Sequence, residues 1–290
     1  MTLPGRITVR EVGPRDGLQA EAPVAVEQRV RLVESLVAAG ARDIEAVAFV
    51  SPKAVPSMAG AAEVMALLAR RAGVRFWALV PNLRGAEMAL EAGADALSVT
   101  LSASPTYSEK NTKMTIDEAV EGLRLIAAAA GDVAVDAVIS CAFGSPYEGE
   151  IAPAEVLSLA QRCAEAGARS LTLADTTGMA TPRRVEELLN LTGVDVGLHL
   201  HETRATGLVN AYAAMQMGVS RFDTSVGGLG GSPFAAGAAG NLATEALVHL
   251  CDDLGVETGL DLGALVETAR WLEEVVGHRV PSAVAAAGGT

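Results

Sequence analysis

Residues 91–101 read EAGADALSVTL, in which a helical segment ends at a glycine and an apolar strand follows directly. Glycine suits the position after a helix because it adopts the left-handed backbone conformation without a clash at Cβ. The same pattern recurs around Gly40, Gly167 and Gly218, and a strand-like run follows each of them. The repeat predicts short loops that join each helix to the next strand.

Eight strand-like runs follow one another along the chain, separated by helical segments. They lie at residues 7–12, 43–49, 74–80, 95–101, 133–140, 170–174, 194–202 and 221–225. This alternation, without a linker-like break, matches the α/β class and a (β/α)8 TIM barrel in count and length. A doubly wound open sheet is the alternative. A Rossmann version of it needs GxGxxG after the first strand, where residues 13–17 read GPRDG.

The last part of the chain predicts helices beyond the barrel strands. Residues 241–254 and 261–277 are amphipathic, and the tail at 283–290 should be frayed. We expect one TIM-barrel domain over residues 1–290, with the barrel at 6–255 and a C-terminal helical extension at 256–290.

Composition argues against several classes of function. The net charge of −13 opposes binding to nucleic acid, and no basic and aromatic cluster offsets it. No apolar run reaches the roughly 18 residues of a membrane span, so no membrane contact is expected. The first residues match neither a secretory nor a mitochondrial leader, which predicts a cytoplasmic location. Cys141, Cys163 and Cys251 form no CxxC pair and are predicted to be small buried side chains.

Two of the four histidines lie in the seventh run, which reads VDVGLHLHE at residues 194–202. Side chains alternate along a strand, so His199 and His201 share one face while Leu198 and Leu200 face the packing layer. Two imidazoles on one face suggest a metal site. The alternative is that both are structural histidines, satisfied by hydrogen bonds.

Polar residues recur at several of the other strands. In chain order they are Arg15, Asp16, Glu45, Asp175 and, after a glycine-rich segment that follows the eighth run, Asn241. In a barrel the carboxyl ends of the strands meet at one mouth, where catalytic groups lie. Carboxylate, imidazole and amide ligands together favour Mg²⁺ or Mn²⁺ over Zn²⁺. A plain helix N-cap is the alternative for Asn241.

Longer motifs surround these residues. They read REVGPRDGLQ at residues 10–19, FVSPK at 49–53, PNL at 81–83, PYEG at 146–149 and GNLATE at 240–245. With the histidine run they resemble the hydroxymethylglutaryl-CoA lyases of the DRE-TIM metallolyase superfamily over nearly the whole chain. The resemblance implies a retro-Claisen cleavage, in which 3-hydroxy-3-methylglutaryl-CoA is split into acetyl-CoA and acetoacetate.

The resemblance also implies roles for the polar residues. The ligands of the divalent cation, Mg²⁺ or Mn²⁺, would be Asp16, His199, His201 and Asn241. Arg15 would meet the thioester oxygen and stabilise the enolate charge. Glu45 completes the Asp-Arg-Glu trio of the superfamily's name. The alternatives are that Arg15 and Asp16 form a plain salt bridge and that Glu45 only orients Arg15.

Substrate and proton handling are assigned to further residues. We expect the acyl-CoA thioester to be bound by Arg15, Gln19, Asp175 and Arg204. His199, polarised by the metal, is the candidate for proton transfer, although a ligating nitrogen cannot also accept a proton.

The chain departs from the family pattern at three places. Ser232 stands where the glycine-rich loop usually has a catalytic cysteine; it is kept as a catalytic candidate, although a hydroxyl is a far weaker acid than a thiol. Ser145 stands where cysteine is common, and Arg204 replaces a usual tyrosine after the histidines. These changes leave the expected metal ligands in place and bear on the choice of substrate.

Three other functions remain open. One is a lyase for a different 3-hydroxyacyl-CoA, such as citramalyl-CoA. The second is a metal-binding barrel without turnover, which is less favoured because every expected ligand is retained. The third is a condensing enzyme of the same superfamily, which the lack of an extra regulatory domain disfavours. A homodimer is expected, with Trp271 and the last helix as the candidate interface.

Overall fold

The structure, a computed structural model, describes residues 3–231 and 240–288. Eight strands form a closed barrel in chain order, every neighbouring pair is parallel, and the last strand pairs with the first. The predicted (β/α)8 barrel is confirmed. The strands are β1 (Thr8–Glu11), β2 (Asp43–Ala48), β3 (Arg75–Leu79), β4 (Ala96–Ser102), β5 (Ala134–Ser140), β6 (Ser170–Ala174), β7 (Gly197–His199) and β8 (Arg221–Thr224).

Helices follow the strands and bury their apolar faces, as in the first helix, where Leu32 and Leu36 are fully buried. They are α1 (Val26–Ala38), α2 (Ala61–Leu67), α3 (Leu83–Glu91), α4 (Pro105–Thr112), α5 (Ile116–Ala130), α6 (Pro153–Glu165), α7 (Pro182–Thr192), α8 (Gly207–Met217), α9 (Thr244–Leu254), α10 (Leu262–Val276) and α11 (Ala283–Ala287). Local sequence sets their starts: Thr115 and Glu118 form a capping box at α5.

The predicted glycine loops between helices and strands are confirmed. Gly40, Gly93, Gly167 and Gly218 have φ values of 104°, 80°, 103° and 110°. These are backbone conformations that a side chain with a Cβ adopts only with strain. Each glycine therefore ends a helix and lets the chain enter the next strand after a few residues.

Two expectations about regular structure differ from the fold. The seventh strand stops at His199, because the next residues pair with the segment that follows the glycine-rich loop: Leu242 N donates to Leu200 O at 2.9 Å and Glu202 N to Gly240 O at 3.1 Å. The described part of the tail is also more regular than expected, because residues 283–287 form α11, and Ser282 caps it by accepting from Ala285 N at 3.2 Å.

The centre of the barrel contains a network of paired charges. Arg10 of β1 reaches across it, donating from Nη1 to Asp136 Oδ2 at 2.9 Å and from Nε and Nη2 to Asp223 at 2.8 and 2.7 Å. Thr172 Oγ1 donates to Asp136 Oδ2 at 2.8 Å. Gly197 leaves room beside Thr172, since a Cβ there would lie 2.8 Å from Thr172 Oγ1. The charges are buried but each has an ionic partner, which offsets the cost of burial.

Two expectations from composition can be compared with the fold. Across residues 3–231 and 240–288, no helix has both the length and the apolar character needed to cross a membrane. Cys141, Cys163 and Cys251 are buried free thiols, as predicted. Burial raises the pKa of Cys141 and Cys163 to about 12, so these thiols stay protonated at neutral pH.

Candidate active site

The barrel brings the predicted polar residues together at one mouth. Arg15 and Asp16 lie in a π-helical turn, Gly13–Gly17, just after β1. Glu45 lies within β2, Asp175 follows β6, and His199 ends β7. All strands of the barrel run parallel, so their carboxyl ends open on the same side.

Arg15 joins two carboxylates. Its Nη1 donates to Asp16 Oδ1 at 2.6 Å, and its Nε donates to Glu45 Oε2. Glu45 is only 1% exposed, so its carboxylate depends on Arg15 for a counter-charge. Gln19 Oε1 lies 3.5 Å from the same Nη1. Both contacts weighed as alternatives, the Arg15–Asp16 salt bridge and the Glu45–Arg15 pairing, are therefore present in the fold.

The two imidazoles lie side by side, with ring centroids 5.0 Å apart. His201 Nδ1 lies 2.7 Å from the backbone oxygen of Asp175, and His199 Nδ1 lies 3.3 Å from Asp223 Oδ2. A backbone carbonyl only accepts hydrogen bonds, so in neutral His201 the Nδ1 atom carries the proton and Nε2 keeps a lone pair.

Asp16, His199 and His201 form a group that can hold a metal ion. One ligand atom of each lies within 4.8 Å of the others, and His199 Nε2 is 3.8 Å from Asp16 Oδ2. Asn241 adjoins this group, donating from Nδ2 to Asp16 Oδ2 at 2.7 Å and to Leu229 O at 2.9 Å. The Asn241 Oδ1 is buried and has no hydrogen-bond partner among the described residues.

An unpartnered buried oxygen beside a carboxylate and two imidazoles fits a cation, because a ligand bond would satisfy it. The N-cap interpretation of Asn241 is wrong, because α9 begins at Thr244 and its N-cap residue is Ala243. Asn241 instead forms a β-bridge with His201, which brings the amide to the histidines.

The charge states at this mouth also suit a cation. Burial raises the pKa of Asp16, but Arg15 and the two histidines outweigh it and lower the pKa to about 2. Burial and the neighbouring His199 lower the pKa of His201 to about 4. At neutral pH the site therefore presents a carboxylate and at least one neutral imidazole, which are the forms that bind metals.

Asp175 lies beside the metal-binding group. Its Oδ1 accepts from Met179 N at 2.7 Å and Ala180 N at 3.0 Å, while its Oδ2 is buried without a partner among the described residues. Burial raises the pKa of this carboxyl to about 7, although the backbone donors and Arg204 oppose the rise. An acid with this pKa exchanges protons near neutral pH, which suits a site of acid–base chemistry.

Arg204 and Ser145 lie in loops around the mouth. Arg204 is not a free cation there, because its Nη1 donates at 2.8 Å to the carbonyl oxygens of Thr177 and Gly178 and so braces the loop after β6. Ser145 Oγ donates to Glu148 Oε2 at 2.6 Å and to Ser104 Oγ at 3.0 Å, joining the loops after β4 and β5. Ser232 lies outside the described residues.

Sequence reasoning missed the supporting carboxylates. Asp223 contacts His199, Glu11 accepts from Gly13 N and Val226 N at 2.8 and 2.9 Å, and Glu245 accepts from Gly227 N at 2.9 Å. Glu11 and Glu245 hold the turn that carries Arg15 and the start of the glycine-rich loop. The available signal was an acidic side chain inside a strand, as at Asp223 and Glu11, or within the GNLATE motif, as at Glu245.

Comparison with known proteins agrees with this geometry. Hydroxymethylglutaryl-CoA lyase of Macaca fascicularis is 40% identical over 99% of this chain and 90% of its own. (R)-citramalyl-CoA lyase of Chloroflexus aurantiacus is 42% identical over 97% and 95%. The structure of an HMG-CoA lyase from Acinetobacter baumannii, in complex with coenzyme A and 3-methylmalate, superposes with a TM-score of 0.94 at 41% identity, covering 99% and 97%. The HMGL-like family model matches residues 6–272. With this fold, this cluster of side chains and these relatives, the chain belongs to the HMGL-like family.

Proposed function

We propose that this protein is a divalent-metal-dependent carbon–carbon lyase that cleaves 3-hydroxy-3-methylglutaryl-CoA into acetyl-CoA and acetoacetate. The observation that carries the proposal is the position of Arg15 against Asp16, His199 and His201 at the mouth of the barrel. A guanidinium beside a metal-binding group provides positive charge at two points of a small anionic substrate. The relatives at about 40% identity include enzymes with this named activity.

We assign the cation, Mg²⁺ or Mn²⁺, to Asp16, His199, His201 and Asn241. One carboxylate, two imidazoles and one amide oxygen form a mixed set of oxygen and nitrogen ligands without thiolate, which favours these ions. When bound, such a cation supplies Lewis acidity to the hydroxyl and carboxylate oxygens of the substrate.

Arg15 is proposed to stabilise the negative charge that develops on the thioester oxygen as the C2–C3 bond breaks. Its Nη1 and Nε are occupied by Asp16 and Glu45, so the guanidinium is held in one orientation before substrate binds. A donor fixed in advance needs no reorganisation during the reaction. We propose that Glu45 provides this fixation and does not itself meet the substrate.

Proton transfer is proposed for Asp175. The reaction removes the proton of the C3 hydroxyl, leaves the bonding electrons on C2 and ends with protonation of C2. The Asp175 Oδ2 is buried and unpartnered among the described residues, and the raised pKa of about 7 lets this group both accept and return a proton. His199 is then a metal ligand, since its Nδ1 contacts Asp223. A catalytic role for Ser232 stays a prediction.

An acyl-CoA substrate suits the charge distribution of the chain. All three lysines, Lys53, Lys110 and Lys113, lie in segments that follow β2 and β4 on the mouth side of the barrel, although the net charge is −13. Coenzyme A carries several phosphate charges, and local cations attract them in spite of an acidic remainder. We further assign Gln19 and Arg204 to the substrate side of the mouth, with Arg204 acting through the loop it braces.

Citramalyl-CoA is the second candidate substrate. The citramalyl-CoA lyase of Chloroflexus aurantiacus is as similar as the hydroxymethylglutaryl-CoA lyases. Ser145 and Arg204 lie in the loops after β5 and β7, which border the mouth.

The test is acetyl-CoA release from each substrate by metal-loaded protein, with His201→Ala as the control. We expect metal-dependent cleavage of hydroxymethylglutaryl-CoA by the wild type and none by His201→Ala. Cleavage of citramalyl-CoA alone would move the assignment to the second candidate. Cleavage of neither would contradict the lyase proposal and favour a binding protein.

Assembly and location are further proposals. We propose a homodimer, which light scattering on the purified protein tests. The ring of Trp271, the residue predicted at the interface, is already covered by Arg31, whose Cζ lies 4.4 Å from the ring centroid. We also keep a single domain over residues 1–290 and a cytoplasmic location as proposals; the macaque relative is named as mitochondrial.

A further inference from the structure

We propose that Asp223 is a positioning residue: its carboxylate holds His199 in the Nδ1–H tautomer and thereby leaves the Nε2 lone pair for the metal. Arg10 fixes Asp223 in the orientation that this requires. The inference rests on the proposed function only in so far as a metal occupies the site, since the tautomer of His199 is a property of the protein alone.

The contact between Asp223 and His199 defines which nitrogen is free. Asp223 Oδ2 lies 3.3 Å from His199 Nδ1, while His199 Nε2 lies 3.8 Å from Asp16 Oδ2. The two nitrogens therefore face two different carboxylates. A proton on Nδ1 is shared with Asp223, which leaves Nε2 on the side of the metal-binding group.

Arg10 leaves the Asp223 carboxylate little freedom to rotate. Its Nε and Nη2 donate to the two separate oxygens of Asp223, at 2.8 and 2.7 Å. A two-point contact of this kind fixes the plane of a carboxylate as well as its distance. Arg10 is itself fixed from the other side by Asp136 Oδ2 at 2.9 Å. The orientation of His199 is thus determined through three buried side chains, Asp136 of β5, Arg10 of β1 and Asp223 of β8.

The network also has an unbalanced charge. One arginine and two aspartates leave one net negative charge in the barrel centre, next to the ring that faces the metal-binding group. A buried negative charge attracts a cation more strongly than the same charge would in water. Asp223 should therefore favour metal binding through its charge as well as through the tautomer.

The chain contains a matched control for this role. Asp136 and Asp223 are both buried aspartates paired with Arg10, at 1% and 6% exposure. Of these two aspartates, only Asp223 has a described contact with His199. Asp136→Asn removes one charge from the same network without removing the contact to the histidine. A merely structural role would make the two variants alike.

Asp223→Asn is the informative substitution. Asparagine keeps the size of the side chain but offers one oxygen and one donating nitrogen. Arg10 presents donors to both oxygens, so the amide nitrogen meets a donor of Arg10 in either orientation, and in one of the two it also meets His199 Nδ1. The variant cannot satisfy both neighbours, and His199 loses its fixed partner.

The experiment uses the full chain labelled with ¹⁵N at its four histidines, whose ring tautomers a two-bond ¹H–¹⁵N spectrum reports directly. His199→Gln identifies the signal. Neutral His199 of the metal-free wild type should have the Nδ1–H pattern. Asp223→Asn should lose it, and its Kd for Mn²⁺ should rise about 10- to 100-fold, while Asp136→Asn stays within about 3-fold of the wild type.

Several results would overturn the inference. An Nε2–H pattern in the wild type would do so without any variant, even if Asp223→Asn fails to fold. Equal effects of Asp223→Asn and Asp136→Asn on the tautomer and on Mn²⁺ affinity would reduce Asp223 to a structural role. A wild type with the Nδ1–H pattern that binds no Mn²⁺ would instead contradict the proposed metal-dependent function and leave the tautomer assignment standing.

Discussion

Glu45 is proposed to hold Arg15 in its orientation, and this role can be tested at the scale of one residue. Glu45→Gln removes the ion pair to Arg15 Nε but leaves Asp16 and the histidines untouched. A catalytic group displaced by a fraction of an ångström loses much of its effect, so kcat should fall about 100-fold. The affinity for Mn²⁺ should stay within about 3-fold of the wild type, because no ligand changes.

Asp43→Asn is the control for that variant. Asp43 is also a buried carboxylate of β2, but it pairs with Arg75 and accepts from Trp77 at the start of the strand, away from the mouth. The Asp43→Asn variant should be less stable than the wild type but have nearly the same kcat. A Glu45→Gln variant with normal kcat but weak Mn²⁺ binding would place Glu45 among the ligands and contradict the role given to it.

The sequence predicted the residues that meet at the mouth better than the residues that support them. His199, His201, Asp16 and Arg15 were predicted because their spacing or their position after a strand has a chemical reason. Asp223 was not predicted, because a charged side chain within a short strand points inward or outward according to how the barrel closes. Only the closed barrel brings Asp223 of β8 to His199 of β7 and Arg10 of β1.

The glycine-rich loop after β8 offers a test at the scale of an element. Gly230 has a φ of 122°, and a Cβ there would overlap Asn241 Nδ2 and lie 3.3 Å from Asp16 Oδ2. Gly230→Ala should therefore push the amide away from the carboxylate, and the Kd for Mn²⁺ should rise about 10- to 100-fold. Isothermal titration with Mn²⁺ measures this directly.

Gly73→Ala separates the contact from the backbone strain. Gly73 has a φ of 78°, with nothing within 4 Å of a Cβ built on it. Both alanine variants should lose about 1 kcal/mol of stability from the left-handed conformation. Only Gly230→Ala should bind Mn²⁺ weakly. Equal Mn²⁺ affinities for the two variants would mean that the loop does not set the position of Asn241.

Element types were predictable from the sequence, but several element ends were not. Glycine after each helix and the apolar run after it identify the loops locally, as at Gly93. The end of β7 is decided by distant residues, since Leu200 and Glu202 pair with the chain around Gly240 and Leu242. The start of α9 shifts for the same reason, because Asn241 is taken up in its bridge with His201.

At the scale of the whole molecule, buried acids make stability depend on pH. Burial raises the pKa of Glu245 to about 8, with the Glu11 charge adding to the rise, and burial raises the pKa of Glu11 to about 7. Their folded pKa values exceed the unfolded value, so their contribution to stability is complete below about pH 4.5 and is lost as pH rises through the folded values. The free energy of unfolding should fall between pH 5 and pH 8 for these groups.

Glu245→Gln should flatten that fall. Glutamine resembles the protonated carboxyl and cannot ionise, so the variant should lack a slope of up to about 1.4 kcal/mol per pH unit. Urea unfolding at pH 5, 6, 7 and 8 measures how the free energy of unfolding changes with pH. Glu87→Gln, on the exposed side of α3, is the control. Parallel curves for Glu245→Gln and the wild type would mean that Glu245 is already ionised in the folded protein.

The closed barrel can be predicted from the repeated strands and glycine loops of the sequence, whereas its charged centre cannot. Eight strands with glycine loops predict a (β/α)8 barrel, and the closed order β1 to β8 confirms it. The network of Arg10, Asp136 and Asp223 joins residues more than 85 positions apart. Such pairing depends on the three-dimensional register, which a reading along the chain does not contain.

One divalent cation, held by Asp16, His199, His201 and Asn241, is proposed to support the carbon–carbon cleavage. The most direct measurement titrates metal-stripped protein with Mn²⁺ and follows bound Mn²⁺ by electron paramagnetic resonance and acetoacetate formation from hydroxymethylglutaryl-CoA in the same samples. Activity should rise in proportion to the bound Mn²⁺ and reach its maximum at one Mn²⁺ per chain. The His201→Ala variant should neither bind Mn²⁺ nor form acetoacetate. Cleavage by the metal-stripped protein, or full occupancy of His201→Ala, would contradict the claim.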